Sequence, residues 1–189
     1  MADTPDTPEE DRDAMARLAA GQDLALNEIM ERWKSRLVSF LYRLTGNEAS
    51  SLELAEETFV QVYQGRMKFR VDANFSSWLF GIASNLGRNH LRWRQRHPTL
   101  PLDAPDAAGM ATEGDPGKSA ESREREAAVH RAIAMLPPDL REPLILSEYE
   151  HLPHAQIATI AGCSVKAVER RLSRARELLR KELSLYLSA

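Results

Sequence analysis

The sequence has 189 residues, 43% of them hydrophobic, and a formal net charge of -3. No apolar run approaches the roughly 18 residues that a membrane-spanning helix needs, and the acidic start is the reverse of a secretory signal. The single cysteine, Cys163, excludes an internal disulfide and a cysteine-ligated zinc site. These features predict a cytoplasmic protein without membrane insertion.

The charge is unevenly distributed along the chain. Residues 88–96 carry four arginines and no acidic residue, and residues 164–182 carry seven basic against three acidic residues, so each segment has a charge of +4. Residues 97–126 carry seven acidic and three basic residues. Local basic clusters of this kind indicate nucleic-acid binding even when the total charge is negative.

Apolar residues at steps of three and four predict three amphipathic helices in the first half of the chain. These helices span residues 24–45, about 49–67, and 75 to about 96. The segment between the second and third helices loses this period and contains Asp72 and Asn74, which favour turns and helix starts. It is predicted to be a loop.

The second half begins with a flexible linker, because residues 97–119 contain four prolines, three glycines and few apolar residues. Helical periodicity then returns at about 120–136 and 140–149, with breaks at Pro137 and Pro153. No segment alternates as a half-buried strand does. The prediction is an all-α chain with an acidic tail (1–12), a helical domain (13–96), the linker (97–119) and a second helical domain (120–189).

The segment from His154 to Leu179 has the pattern of a helix-turn-helix. Ala158 is small enough for two helices to cross closely, Gly162 supplies the turn, and Val168 and Leu172 pack the second helix inward. The outward face then carries Lys166, Arg170, Arg174 and Lys181, which suits the DNA major groove. An ordinary antiparallel helix pair with a solvated basic face is the alternative, but the dense arginine cluster favours DNA binding.

Aromatic residues precede the first basic cluster, in the segment from Phe69 to Phe80. Aromatic faces beside arginines suit single-stranded DNA, because unstacked bases stack on the rings while arginines follow the backbone. Phe75 and Trp78 also have the helical spacing of core residues, and for Trp78 the core interpretation is favoured. The loop residues are therefore the better candidates for DNA contact.

These two segments, in this order and across a Pro/Gly linker, resemble the extracytoplasmic-function sigma factors of bacteria. Residues 54–59 are similar to the family's polymerase-docking helix, residues 75–85 to its promoter-melting helix, and residues 136–143 with 157–176 to its closing helix-turn-helix. The resemblance implies a non-enzymatic subunit that directs core RNA polymerase to promoters and assists melting. It implies no catalytic residue, cofactor or metal.

The resemblance also implies three sets of site residues. The polymerase-binding set is Leu54, Glu56, Glu57, Phe59 and Val60. The set for the single-stranded minus-ten element, which would hold a flipped base, is Phe69, Arg70, Asp72, Asn74, Asn85, Arg88 and Arg92. The set for the duplex minus-thirty-five element is Lys166, Glu169, Arg170, Arg171, Ser173, Arg174 and Arg176.

The sequence departs from the family pattern at Glu56 (usually glutamine), Gly81 (commonly basic) and Lys166 (commonly glycine). The resemblance further implies inhibition by an anti-sigma factor that wedges between the domains, and a linker that threads the RNA-exit path of the polymerase. The acidic stretch of residues 3–13 either contributes to autoinhibition or is a disordered solvating tail, the simpler interpretation.

A stand-alone helix-turn-helix regulator is the alternative function. A small helical enzyme is disfavoured, because the five histidines lack metal-ligand spacing and no glycine-rich phosphate loop is present.

Overall fold

The computed structural model describes residues 8–70, 72–97 and 120–187, and it confirms the all-α prediction: these residues form helices, short turns and loops, without a strand. The helices are α1 (Pro8–Ala19), α2 (Ala25–Thr45), α3 (Glu48–Gly65), α4 (Phe75–Arg96), α5 (Ala120–Ala134), α6 (Pro138–Glu148), α7 (His154–Ala161) and α8 (Val165–Leu187). A short 3₁₀ turn, Arg66–Lys68, follows α3.

Helix α1 corrects the prediction for the N-terminus. The sequence assigns residues 1–12 to an acidic tail, but the helix begins at Pro8, and the side chain of Asp11 is fully buried. Asp11 accepts hydrogen bonds from Arg32 and from Trp33 Nε1, the latter at 3.1 Å. The solvating-tail interpretation is therefore wrong from Pro8 onward, because these acids form the first turn of a helix. Residues 1–7 lie outside the described residues.

Local signals fix the helix ends in the first domain. Gly46 ends α2 in the left-handed conformation (φ 73°), and its N–H donates to the Tyr42 carbonyl at 2.8 Å. The side chain of Asn47 caps α3 by accepting from the Ser50 N–H at 2.8 Å, and that of Asn74 caps α4 by accepting from the Ser77 N–H at 2.9 Å.

Aromatic side chains form the centre of the first domain. Phe80 of α4 packs edge-on against Phe40 and Trp33 of α2, with ring centroids 5.1 Å and 6.0 Å apart. Gly87 lets α4 approach α2 closely, since a Cβ there would lie 2.6 Å from a methyl of Leu44. Helix α4 is thereby held against α2 along much of its length.

The second domain confirms the predicted helix-turn-helix. Gly162 follows α7 in the left-handed conformation (φ 62°), and Cys163 packs in the turn against the core. Ala158, Val168 and Leu172 are buried between α7, α8 and α6.

The two groups of helices pack against each other. Helix α2 contacts α5 and α6, and α4 contacts α7. The predicted linker spans residues 97–119, and residues 98–119 lie outside the described residues. The flexibility of the linker therefore stays a prediction.

Candidate nucleic-acid interface

The outer face of α8 is basic and accessible. Val168, Leu172 and Ala175 face the core with at most 1% exposure. Six of the seven predicted minus-thirty-five residues are exposed: Lys166, Glu169, Arg170, Ser173, Arg174 and Arg176. Arg171 is half-buried, and its guanidinium lies 3.6 Å from Cys163 Sγ. The apolar periodicity of the sequence therefore predicted correctly which face of α8 is buried and which is exposed.

One member of the exposed set already has an ionic contact within the second domain. Arg176 forms an ion pair with Glu148 of α6 at 2.6 Å. Arg170 and Arg174 line a shallow depression together with Ser173 and Glu177, and neither arginine forms an ion pair with another residue that the structure describes. Arg170 and Arg174 are therefore the better placed of these arginines to contact DNA.

Four of the predicted minus-ten residues lie in the loop before α4 or at its end, and only some of them are exposed. The ring of Phe69 packs against Phe75 and Trp78, with centroids 5.8 Å and 5.1 Å away. Arg70 and Asp72 form an exposed ion pair at 2.8 Å, and the hydrogen bond from Arg70 lowers the pKa of the Asp72 carboxyl. Asn74 is engaged as the α4 cap. Arg70 and Asp72 are thus the most accessible of the four.

Trp78 supports the core interpretation of the aromatic segment. Its indole is half-buried beside Phe75, and a Cβ on Gly65 would lie 3.2 Å from the indole.

Trp93 is the aromatic residue that the sequence analysis missed. It is 44% exposed among the arginines of α4 and stacks on His97 at 4.8 Å. An aromatic residue inside a run of arginines is the signal that could have identified it.

The three predicted residues on α4 lie in a row. Arg88 donates to Asn85 and forms an ion pair with Glu142 of α6 at 2.5 Å. Arg92 is exposed and donates to Asn89 at 2.9 Å. Arg88 is therefore held by a carboxylate of the second domain.

Helix α3 presents an acidic surface. It carries four glutamates and no basic residue, and Glu56, Glu57 and Val60 are exposed. Leu54 is half-buried, and Phe59 is only 3% exposed. The prediction that Phe59 contacts the polymerase is corrected by this burial, because an aromatic side chain inside the core cannot reach a partner.

The seam between the domains contains two buried carboxylates that the sequence analysis also missed. Glu142 is 4% exposed and Glu150 is 3% exposed. Glu150 accepts from Arg36 Nε of α2 at 2.7 Å. Burial raises the pKa of the Glu150 carboxyl, and the nearby charge of Arg36 opposes this shift.

Within the described ranges, no group of three or more histidine, cysteine or acidic side chains is arranged to hold a metal ion. No helix in the same part of the chain is long and apolar enough to cross a membrane.

Comparison with known proteins decides the family. Residues 29–97 match the model of Sigma-70 region 2, and residues 126–179 match that of Sigma-70, region 4. The RNA polymerase sigma-H factor of Pseudomonas aeruginosa is 35% identical over 186 residues, which cover 94% of this chain and 95% of that protein. The ECF RNA polymerase sigma-E factor of Escherichia coli K12 is 30% identical, with 89% and 92% covered. The chain belongs to the extracytoplasmic-function (ECF) sigma factors.

Two solved structures have the fold of this sigma factor. CnrH, solved in complex with the cytosolic domain of CnrY, has a TM-score of 0.70 and 24% identity over 93% of this chain and 98% of its own. The sigma factor RpoE of Bartonella quintana, solved with the anti-sigma factor NepR, has a TM-score of 0.71 and 22% identity over 85% and 98%. The sigma-factor prediction from the sequence is confirmed by the family, in preference to a stand-alone regulator.

Proposed function

We propose that this sigma factor directs core RNA polymerase to promoters through three separate surfaces. The docking surface is Glu56, Glu57 and Val60 of α3. The minus-ten surface is the loop before α4 together with Asn85, Arg88 and Arg92. The recognition helix is α8, with Arg170 and Arg174 at its centre.

The separation of charge between these helices carries the proposal. Helix α3 has four acidic and no basic residues, α4 has four arginines and no acidic residue, and α8 has seven basic against three acidic residues. Phosphate attracts the basic helices and repels α3. The acidic helix therefore suits a protein partner, and the two basic helices suit DNA.

The docking surface combines charge with apolar area. Val60 is 46% exposed, and Leu52 on the same helix is 42% exposed. Apolar side chains beside charged ones are typical of protein interfaces. Phe59 supports this surface from below by anchoring α3 in the core.

The minus-ten surface suits single-stranded DNA because it combines arginines with aromatic rings. Arg70 and Arg92 are exposed and can follow the phosphates, and the rings of Phe69 and Trp78 pack against each other and are only half-buried. Extruding one base from the duplex costs a few kcal/mol. A surface that accepts the extruded base offsets part of that cost and so favours strand opening.

The recognition helix suits the major groove of the minus-thirty-five element. Arg170 and Arg174 are one helical turn apart on the exposed face, so that both can reach the same stretch of groove. Arginine there binds guanine edges in pairs of hydrogen bonds or contacts phosphate. Lys166, at the start of the helix, extends this face.

An anti-sigma factor is the proposed inhibitor of this sigma factor. The support is that RpoE of Bartonella quintana, which has this fold, was solved with one. The proposed site of action is the cytoplasm, where the polymerase works, and the polymerase supplies the chemistry of RNA synthesis.

Binding to purified core polymerase tests the docking surface. Glu56→Lys is expected to weaken binding of the full chain at least about tenfold, since it reverses a charge at the centre of the surface. Glu31→Lys makes the same charge change at an exposed position of α2 outside the surface, and it should change binding less than about twofold. Equal losses in the two variants, or none in Glu56→Lys, would contradict the proposed docking surface.

A further inference from the structure

The seam between the two domains is formed by charged groups from opposite sides. Glu142 and Glu150 come from the second domain, and their partners Arg88 and Arg36 come from the first, at 2.5 Å and 2.7 Å. Arg36 also donates to the Glu150 backbone carbonyl at 3.1 Å. Both carboxylates are nearly inaccessible to water in this arrangement, and each is paired with an arginine of the first domain.

Two further arginines of the seam contact uncharged groups. Arg141 donates to the Leu44 carbonyl at 2.9 Å, and the guanidinium of Arg43 lies 4.1 Å from the ring centroid of Tyr149. The seam therefore combines ion pairs, a hydrogen bond to a backbone carbonyl and a cation–π contact.

Helix α7 covers one face of α4. Ser77 donates to Gln156 at 2.5 Å, Arg88 donates to the Ile160 carbonyl at 3.3 Å, and a Cβ on Gly81 would lie 4.0 Å from Ile160 Cγ1. Ser77, Gly81 and Arg88 are four and seven residues apart, so they lie on the same side of the helix. A longer side chain at Gly81 would meet Ile160 in this arrangement.

The covered face includes part of the minus-ten surface. Arg88 is the residue of that surface that the second domain binds, and Asn85, its neighbour, accepts from the same guanidinium. The docking surface on α3 and the basic face of α8 remain exposed. The closed arrangement therefore affects one of the three surfaces.

We propose that Glu142 acts as an intramolecular mimic of DNA phosphate: it binds Arg88, holds the two domains closed and keeps the minus-ten surface from binding single-stranded DNA. This inference rests on the proposed function of α4. Glu142 accepts from Nη1 of Arg88, and Asn85 and the Ile160 carbonyl accept from Nη2. A DNA phosphate must therefore compete with these partners for the N–H groups of the guanidinium. The closed protein can dock on the polymerase and offer α8 to DNA, and strand capture requires that the seam opens.

Small-angle X-ray scattering of the full chain tests the closure without polymerase or DNA. A closed, compact chain of 189 residues should have a radius of gyration of about 16 Å. Glu142→Lys should increase the measured radius by several ångströms. Asp139→Lys, an equal charge change at an exposed position of the same helix, should leave it within about 1 Å of the wild-type value.

Two further variants make the result independent of any folding defect in Glu142→Lys. Arg88→Glu alone should also expand the chain, and Arg88→Glu combined with Glu142→Lys should return the radius to the wild-type value, because the ion pair is restored with its charges exchanged. Equal radii for Glu142→Lys and Asp139→Lys, or an expanded wild type, would overturn the closure.

Binding of a labelled strand of twelve thymidines tests the covered surface. The measurement uses the full chain with Arg170→Ala and Arg174→Ala, so that α8 contributes less to binding. Adding Glu142→Lys should increase affinity at least about fivefold, and adding Asp139→Lys should not. An equal gain in both would show a general charge effect and overturn the occlusion, as would no gain in an expanded chain. The scattering measurement needs no DNA, so it distinguishes a failure of the closure from a failure of the proposed function of α4.

Discussion

The burial of Asp11 yields a quantitative prediction for the stability of the first domain. Asp11→Ala removes a fully buried carboxylate that accepts from Arg32 and Trp33 Nε1. A buried donor left without a partner costs about 1–3 kcal/mol, and breaking a buried ion pair costs about 3–5 kcal/mol. Arg32 is 20% exposed and has Glu10 at 3.5 Å as a second partner, so we expect a total loss of about 3 kcal/mol.

Urea unfolding followed by tryptophan fluorescence measures this loss. All three tryptophans, Trp33, Trp78 and Trp93, belong to the first domain, so the signal reports that domain. With a denaturant dependence of about 1–3 kcal/mol per molar urea, the midpoint of Asp11→Ala should fall by about 1–3 M.

Asp13→Ala is the matched control for this experiment. Asp13 lies on the same helix, but its carboxylate is 66% exposed and forms an ion pair with Arg17 four residues later. Exposed pairs of this kind contribute about 0.3–0.5 kcal/mol. Similar midpoints for Asp11→Ala and Asp13→Ala would refute the conclusion that α1 is fastened to the fold by Asp11.

Two other predictions concern DNA reading and pH. Arg170→Ala and Arg174→Ala should each weaken binding to a selected minus-thirty-five duplex by about 1–3 kcal/mol in an anisotropy titration if the arginine reads a base, whereas equal weakening on random duplex would show phosphate contact alone. Burial and the charge of Arg43 lower the pKa of His130, so folding favours the neutral imidazole; its contribution to stability is present above the ordinary pKa of 6.5 and is lost as pH falls through the lowered pKa. Wild type should therefore lose more unfolding free energy than His130→Gln between about pH 7.5 and 5.5, and parallel pH profiles would contradict this.

The sequence predicted best what local patterns determine. The bounds of α4 follow from its apolar period and its asparagine cap, and the helix-turn-helix follows from Gly162 together with the spacing of Val168 and Leu172. These features depend on residues within a few positions of each other. The family followed from two such segments in a fixed order.

The features that the sequence did not predict depend on distant partners. Arg32 is 21 residues from Asp11, and Arg88 is 54 residues from Glu142. A charged residue on a helix is usually solvated, so neither Asp11 nor Glu142 differs in sequence from a surface acid. Phe59 was misassigned for a related reason, because a docking motif contains both the residues that contact the partner and those that anchor the helix.

Polymerase-dependent transcription tests the central claim most directly. Purified core polymerase is incubated, with and without the full chain, on a pool of duplexes randomised at the minus-ten and minus-thirty-five elements, and the run-off transcripts are sequenced. The account predicts transcripts that start at a fixed distance from two enriched elements and that require the chain. Failure to enrich any promoter, together with tight binding of the chain alone to a specific duplex, would contradict it.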